Sequence, residues 1–190
     1  MTRHLLILVA AVGAFAVPAS PAVASAATPG SAHVSKSAKK YLKVFRHQKA
    51  RRDTIRLKSG SKRAKARLAA ADSRLVASTN DFKVYLVQTG SELCIWLIEP
   101  TTAGSGCGDV TALRSPRPPV MFKIGDTQVI TVIPMIDGVA TATRTDAAGP
   151  SRQQAVQNNV FVDVSAGGGQ VQWSGPAGAV TVNVPTAGSL

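Results

Sequence analysis

The run Phe82-Lys83-Val84-Tyr85-Leu86-Val87-Gln88, the cluster Thr89-Gly90-Ser91 and the run Leu93-Cys94-Ile95-Trp96-Leu97-Ile98 decide how this chain is read. β-Branched and aromatic residues fill both runs, and a turn-forming cluster separates them, so the pattern predicts two strands joined by a turn. The second run is almost continuously apolar, which is the mark of a strand covered on both faces.

Reading onward, the same grammar repeats. Thr127–Ile133 is a further strand, stopped by Pro134, and Asp137-Gly138 is a turn signal. Val139–Arg144 alternates cleanly, and Asp146–Pro150 turns again. Asn158-Asn159 precedes Val160–Val164; these asparagines are read as structural, since Asn tolerates left-handed backbone and bonds its own chain. Gly167-Gly168-Gly169 leads into Val171-Gln172-Trp173, and Gly175–Gly178 joins that strand to Val180–Val184 as a hairpin. Short strands about ten residues apart, punctuated by Gly and Pro, predict a mainly β fold: a small antiparallel β-sandwich or open barrel. Strands do not alternate with long helices, which excludes a Rossmann-like body. The β-rich domain is expected over residues 71–186, with a loose tail at 187–190.

Reading backward from Phe82, the composition changes. The chain of 190 residues carries a formal charge of +12. Between Lys36 and Lys83 stand 16 Lys/Arg against Asp53, Asp72 and Asp81, whereas Val84–Leu190 holds 5 against 7 Asp/Glu. Residues 27–70 are therefore expected to form a basic segment, partly helical or flexible. Tyr41, Leu42 and Phe45 have the spacing of one short amphipathic turn able to dock on the body. Ser61 is placed to cap an Ala-rich helix running from Lys62 to Ala71. Two readings of the segment stand side by side. It grips a polyanion, such as a phosphate-bearing polymer of the cell wall, through Lys58, Lys62, Arg63, Lys65 and Arg67; or it is a solvated tether. Aromatic residues make up 5% of the chain, too few for a base-stacking surface, and no nucleic-acid module is present, so no specific nucleic-acid partner is expected.

The start of the chain reads as an address. Thr2-Arg3-His4 is basic, Leu5–Val17 is apolar, and Ala22-Val23-Ala24 and Ala24-Ser25-Ala26 offer small-x-small cleavage sites. Residues 1–26 are expected to be a signal peptide. The apolar run is shorter than the roughly 18–20 residues of a membrane span, so a secreted or loosely wall-associated protein without a transmembrane segment is expected. An exported chain with two cysteines, Cys94 and Cys107, is expected to join them, by way of a strand, a flexible turn over Pro100–Gly106 and a return.

Several weak motifs occur in a particular order: Phe45-Arg46-His47-Gln48, Asp72-Ser73-Arg74-Leu75, Val84-Tyr85-Leu86-Val87 leading to Leu93-Cys94-Ile95, and Gly106-Cys107. They continue in Ile133-Pro134-x-x-Asp137-Gly138-Val139 and Gln157-Asn158-Asn159-Val160-Phe161. Over roughly residues 41–184 this order resembles a family of small exported actinobacterial proteins without an assigned activity. The resemblance implies fold and location but transfers no catalytic residue. The chain departs from that family at Met135-Ile136 and in the basic stretch Arg51–Arg67.

Chemistry is sparse. A Ser-His-Asp site needs a held histidine, and His33 and His47 both precede the β body. Glu92, Glu99, Asp109, Asp126 and Asp137 are the carboxylates available for glycoside hydrolysis, but they fall at strand ends and turns. Gly104-Ser105-Gly106 and Gly167-Gly168-Gly169 lack the context of a phosphate loop, and no oxygen-ligand loop surrounds Asp126 or Asp137. The expectation is a non-catalytic exported β domain with no cofactor and no metal, binding an anionic envelope polymer through its basic segment. A structural or scaffolding surface protein, and an enzyme with an unrecognised site, are the competing readings.

Overall fold

Tyr85 lies opposite Trp96 and Leu86 opposite Ile95, so the two apolar runs pair as antiparallel strands. They belong to a computed structural model that describes residues 36–58, 60–175 and 178–188. The signal-peptide reading of residues 1–26, His33 and the end of the C-terminal tail lie outside the described residues. The first sheet is β1 (Asp72–Ser78), β2 (Lys83–Thr89), β3 (Glu92–Ile98) and β4 (Ala103–Asp109), in that order. β1 begins with polar residues and carries a bulge between Leu75 and Ala77.

Both faces of this sheet are covered, as the apolar run in β3 requires. Val84, Leu86, Leu93, Ile95 and Leu97 enter the main core. Tyr85, Val87 and Cys94 alternate with them and enter a second, smaller core with Ile55. β4 replaces the expected flexible turn: Gly104, Ser105 and Gly106 are strand residues opposite Leu97, Trp96 and Ile95. The glycines suit a close approach by the following chain. A Cβ at Gly104 would stand 3.0 Å from Met121 Cε, and one at Gly108 would stand 3.1 Å from Pro119.

The second sheet is β5 (Met121–Ile124), β6 (Val129–Pro134) and β9 (Val160–Ser165), with β6 central and buried along its whole length. The third contains β7 (Thr141–Thr145), β8 (Ser151–Ala155), β10 (Gln170–Gly175) and β11 (Gly178–Asn183), in the order β11-β10-β7-β8. The fold is mainly β, in three open antiparallel sheets rather than a closed barrel, and is sandwich-like. A buried ion pair joins the second and third sheets: Arg144 Nε donates to Asp163 Oδ2 at 3.0 Å, with side-chain exposures of 0% and 2%. Gly168 O and Thr145 O take further guanidinium protons, while Arg152 and Gln154 donate to Asp163 Oδ1. A buried ion pair stands only when its remaining donors and lone pairs are also satisfied, and this one is.

The basic segment is built into these layers. α1 (Lys36–Tyr41) ends at Leu42, whose backbone is extended, and a 3-10 turn follows over Lys43–Arg46. The one amphipathic turn expected over Tyr41–Phe45 is therefore split, yet its apolar side chains dock: Ala38, Leu42 and Phe45 are at most 1% exposed and belong to the main core. Asp137 Oδ1 accepts the Lys43 N–H at 2.7 Å, and Asn159 Oδ1 accepts the Val44 N–H at 3.0 Å. Arg74 stacks over the Phe45 ring and donates to the His47 carbonyl at 2.9 Å. The chain then crosses the β1 edge and puts Ile55 into the second core. The charge boundary near residue 70 is thus not a packing boundary, and the tether reading fails for the stretch from Ala38 to Leu57.

Candidate anion-binding groove

Asp53 fixes the geometry of the site. It lies in a 3-10 turn, Arg51–Asp53, and is only 6% exposed. Its carboxylate accepts the Ala50 N–H at 2.8 Å and the Leu75 N–H at 3.0 Å, and its carbonyl accepts the Ser73 hydroxyl. A buried carboxylate that accepts backbone donors locks the two strands of chain that supply them. Here it staples the basic segment to β1, so Arg51 and Arg52 precede a fixed point and Thr54–Lys58 follow it.

On both sides of that staple the segment walls a groove of about 680 Å³ at one end of the first sheet. Arg51, Arg52, Arg56 and Lys58 line one side. The β1–β2 turn, Thr79–Phe82, and the β3–β4 turn, Glu99–Thr102, supply the other, with Lys83 at the start of β2. Both turns are braced internally. Thr79 Oγ1 accepts the Asp81 and Phe82 N–H groups, and Glu99 N donates to Thr102 O at 2.9 Å. Among the described residues none of Arg51, Arg52, Arg56, Lys58 and Lys83 forms an ion pair. Glu99 is engaged by Lys123, which leaves Asp81 as the groove's uncompensated acid.

Leu57, Phe82, Tyr85 and Ile98 give the groove an apolar component. Tyr85 is 5% exposed, and its hydroxyl has no hydrogen-bond partner among the described residues. Burial, and then the nearby Asp53 carboxylate, hold this phenol above its ordinary value. It is therefore a neutral O–H donor at pH 7, in a groove that Arg51, Arg52, Arg56, Lys58 and Lys83 also line.

Of the five cations singled out from the sequence, Lys58 lines the groove, while Lys62, Arg63, Lys65 and Arg67 lie on α2 (Lys62–Ala70). The helix forms where expected: Ser61 Oγ accepts the Ala64 N–H at 3.2 Å, and Lys49 Nζ donates to the Ala69 and Ala71 carbonyls at the other end. Only Leu68 leans on the second core, and no residue of α2 is buried. Lys65 turns back to the Lys58 carbonyl at 2.8 Å, linking helix and groove wall. Arg56, Lys83 and Tyr85 escaped the sequence reading. Lys83 and Tyr85 sit in a strand pattern, and only the sheet register shows that they flank the basic segment.

Cys94 and Cys107 are directly opposite each other on β3 and β4 and are joined as a disulfide. Of the carboxylates considered for hydrolysis, Glu99, Asp109 and Asp137 are engaged by other groups. Burial pushes the Glu99 carboxyl up, but Lys123 and Thr102 outweigh it and hold it below the usual range. Hydrogen bonds from Thr111 hold Asp109 low as well. Asp137 accepts from Lys43, Asn159 and Arg46, and His47 is exposed. No protein-family model, curated protein or solved structure matches this chain.

Proposed function

We propose that this is an exported, non-catalytic β domain that binds an anionic polymer of the cell envelope through its basic N-terminal segment. The observation that carries the reading is the packing of that segment: Ala38, Leu42, Phe45 and Ile55 are buried in the cores, while Arg51, Arg52, Arg56, Lys58, Lys62, Arg63 and Arg67 face outward without ion pairs among the described residues. Cations held on a fixed surface attract a polyanion more strongly than the same charges on a coil, because less chain entropy is lost on contact.

Export is supported by the disulfide, which persists in oxidising compartments, and by the leader-like residues 1–26. No helix among the described residues is long and apolar enough to cross a membrane. The non-catalytic reading draws on two acids: a glycosidase needs one carboxyl raised to act as a general acid, and Glu99 and Asp109 are both shifted the other way.

The test is a salt gradient on a column of purified wall polymer. The wild-type chain is expected to be retained at about 0.15 M salt, where the Debye length is about 8 Å. A variant with those seven cations changed to Gln is expected to pass through, with its melting temperature within a few degrees of wild type. Passage of the wild-type chain together with an uncharged reference protein would overturn the reading.

A further inference from the structure

The groove differs from the rest of the basic surface in four ways. It is concave, its two turns are braced, its cations stand on opposite walls, and it contains a largely buried phenol whose hydroxyl has no protein partner among the described residues. A phenol that is 95% excluded from solvent ordinarily finds a partner for its hydroxyl. The Tyr85 hydroxyl has none among the described residues, and Tyr85 lines the groove. The Asp53 carboxylate, which helps hold the phenol protonated, is itself engaged by Ala50 and Leu75. The hydroxyl oxygen keeps contact with solvent, so it opens into the groove, where a ligand oxygen can replace water as its acceptor.

The lining narrows the chemistry. Arg51, Arg56 and Lys83 call for an anion, and arginine forks fit the oxygens of a phosphate. Thr54, Asn80 and Thr101 also line the groove and form no side-chain hydrogen bond among the described residues. Such neutral donors and acceptors suit hydroxyl groups. Leu57, Phe82 and Ile98 provide a surface for carbon backbone. A cavity of about 680 Å³ is the size of a site for a few linked units rather than a single ion.

We propose that this groove, rather than the exposed face of α2, is the seat of the ligand, and that it takes a short stretch of a phosphodiester-linked polyol. One phosphate lies between Arg51, Arg56 and Lys83 and accepts the Tyr85 O–H, and the neighbouring hydroxyls meet the threonines and Asn80. This deepens the function proposed above and rests on it. The cations of α2 then act at longer range, drawing polymer toward the groove without fixing it.

Two variants of equal charge change separate seat from field. R51Q/R56Q/K83Q alters the groove, and K62Q/R63Q/R67Q alters the helix. Binding of a synthetic glycerol phosphate hexamer to the full-length secreted protein is measured by calorimetry at about 0.15 M salt, with a galacturonate hexamer as the carboxylate counterpart. The groove variant is expected to lose affinity tenfold or more, and the helix variant less than threefold. Tyr85→Phe, which keeps the ring in the core, is expected to lose about fivefold for the phosphate hexamer. Equal losses from the two triple variants would overturn the seat while leaving the polyanion function standing. Preference for the galacturonate would overturn the phosphodiester assignment. Failure of the wild-type protein to bind either hexamer or whole wall polymer would remove both readings.

Discussion

Asn159 donates to Asp137 Oδ1 at 2.8 Å, and the same amide nitrogen donates to the Met135 carbonyl at 3.1 Å. Each of the two side chains also accepts a backbone N–H from the turn that carries Phe45. The pair is therefore a double socket: two turns of the β body receive two consecutive amides of the N-terminal segment. Asn158 and Asn159 both adopt positive φ, 48° and 64°, which asparagine tolerates better than most residues. Asn158 uses its amide to reach the Val76 carbonyl at 3.1 Å.

The socket and the core below it predict that the β body does not fold alone. Phe45→Ala should cost about 3–5 kcal/mol, the usual price of an emptied aromatic site. Arg46→Gln should cost less than about 1 kcal/mol, because that ion pair with Asp137 is exposed. Urea titrations of the two variants check this. A chain beginning at Asp72 should lack a cooperative transition; a sharp melt from that chain would show that Ala38, Leu42, Phe45 and Ile55 are dispensable.

The disulfide closes a short loop, with 13 residues of sequence separation. The chain-entropy model assigns a loop of this size about 3 kcal/mol. Replacing both cysteines with Ala should lower the denaturation midpoint by a corresponding amount while leaving the β-sheet circular dichroism in place. Cys107 is exposed and Cys94 buried, so reductant should reach the bond without global unfolding. Identical midpoints with and without reductant would contradict the assignment.

Acid should attack the second and third sheets through Asp163. Burial pushes its carboxyl up, but hydrogen bonds led by Arg152 outweigh that and hold it below the ordinary value. With the folded-state value below the unfolded one, near 3.9, the stabilisation is complete above about pH 5 and drains away as pH falls through the depressed value. Melting curves from pH 7 to pH 2 should show this loss, and Asp163→Asn should flatten it. Arg144→Met should be more damaging, at about 3–5 kcal/mol, because it leaves a buried carboxylate short of its buried partner.

Two glycines should behave oppositely. Gly167 has φ 80°, and a Cβ there would sit 2.2 Å from the Pro185 carbonyl oxygen. A Cβ at Gly106 would meet nothing within 4 Å. Gly167→Ala should impair folding and Gly106→Ala should be close to neutral, measured as soluble yield and melting temperature.

What the sequence made legible followed from local rules. Strands with β-branched alternation, the turn at Asp137-Gly138, the Ser61 cap, the β10–β11 hairpin and the cysteine pairing all depend on residues near each other or on composition. β8, with the sequence Ser151-Arg152-Gln153-Gln154-Ala155, escaped because an edge strand facing solvent needs no apolar alternation. β4 escaped because glycines that admit Met121 and Pro119 look like a flexible turn when the neighbour is unknown. Net charge hid Arg74 and Arg144, which are buried, among cations that are not. The groove was invisible for a related reason: Arg56 and Tyr85 become neighbours only when the segment crosses the β1 edge.

The double socket also has a consequence in time. Val44 is received by Asn159, 115 residues later in the chain. A ribosome or a translocation pore releases the basic segment first and its receptor last, so for most of the chain's emergence the segment has no place to dock. Its dense like charge then acts as a guard, since mutual repulsion opposes collapse and discourages premature association with other nascent chains. On the function proposed above, a polyanion at the exit would meet the cations before the groove exists, and the groove would be completed only when Asn159 arrives.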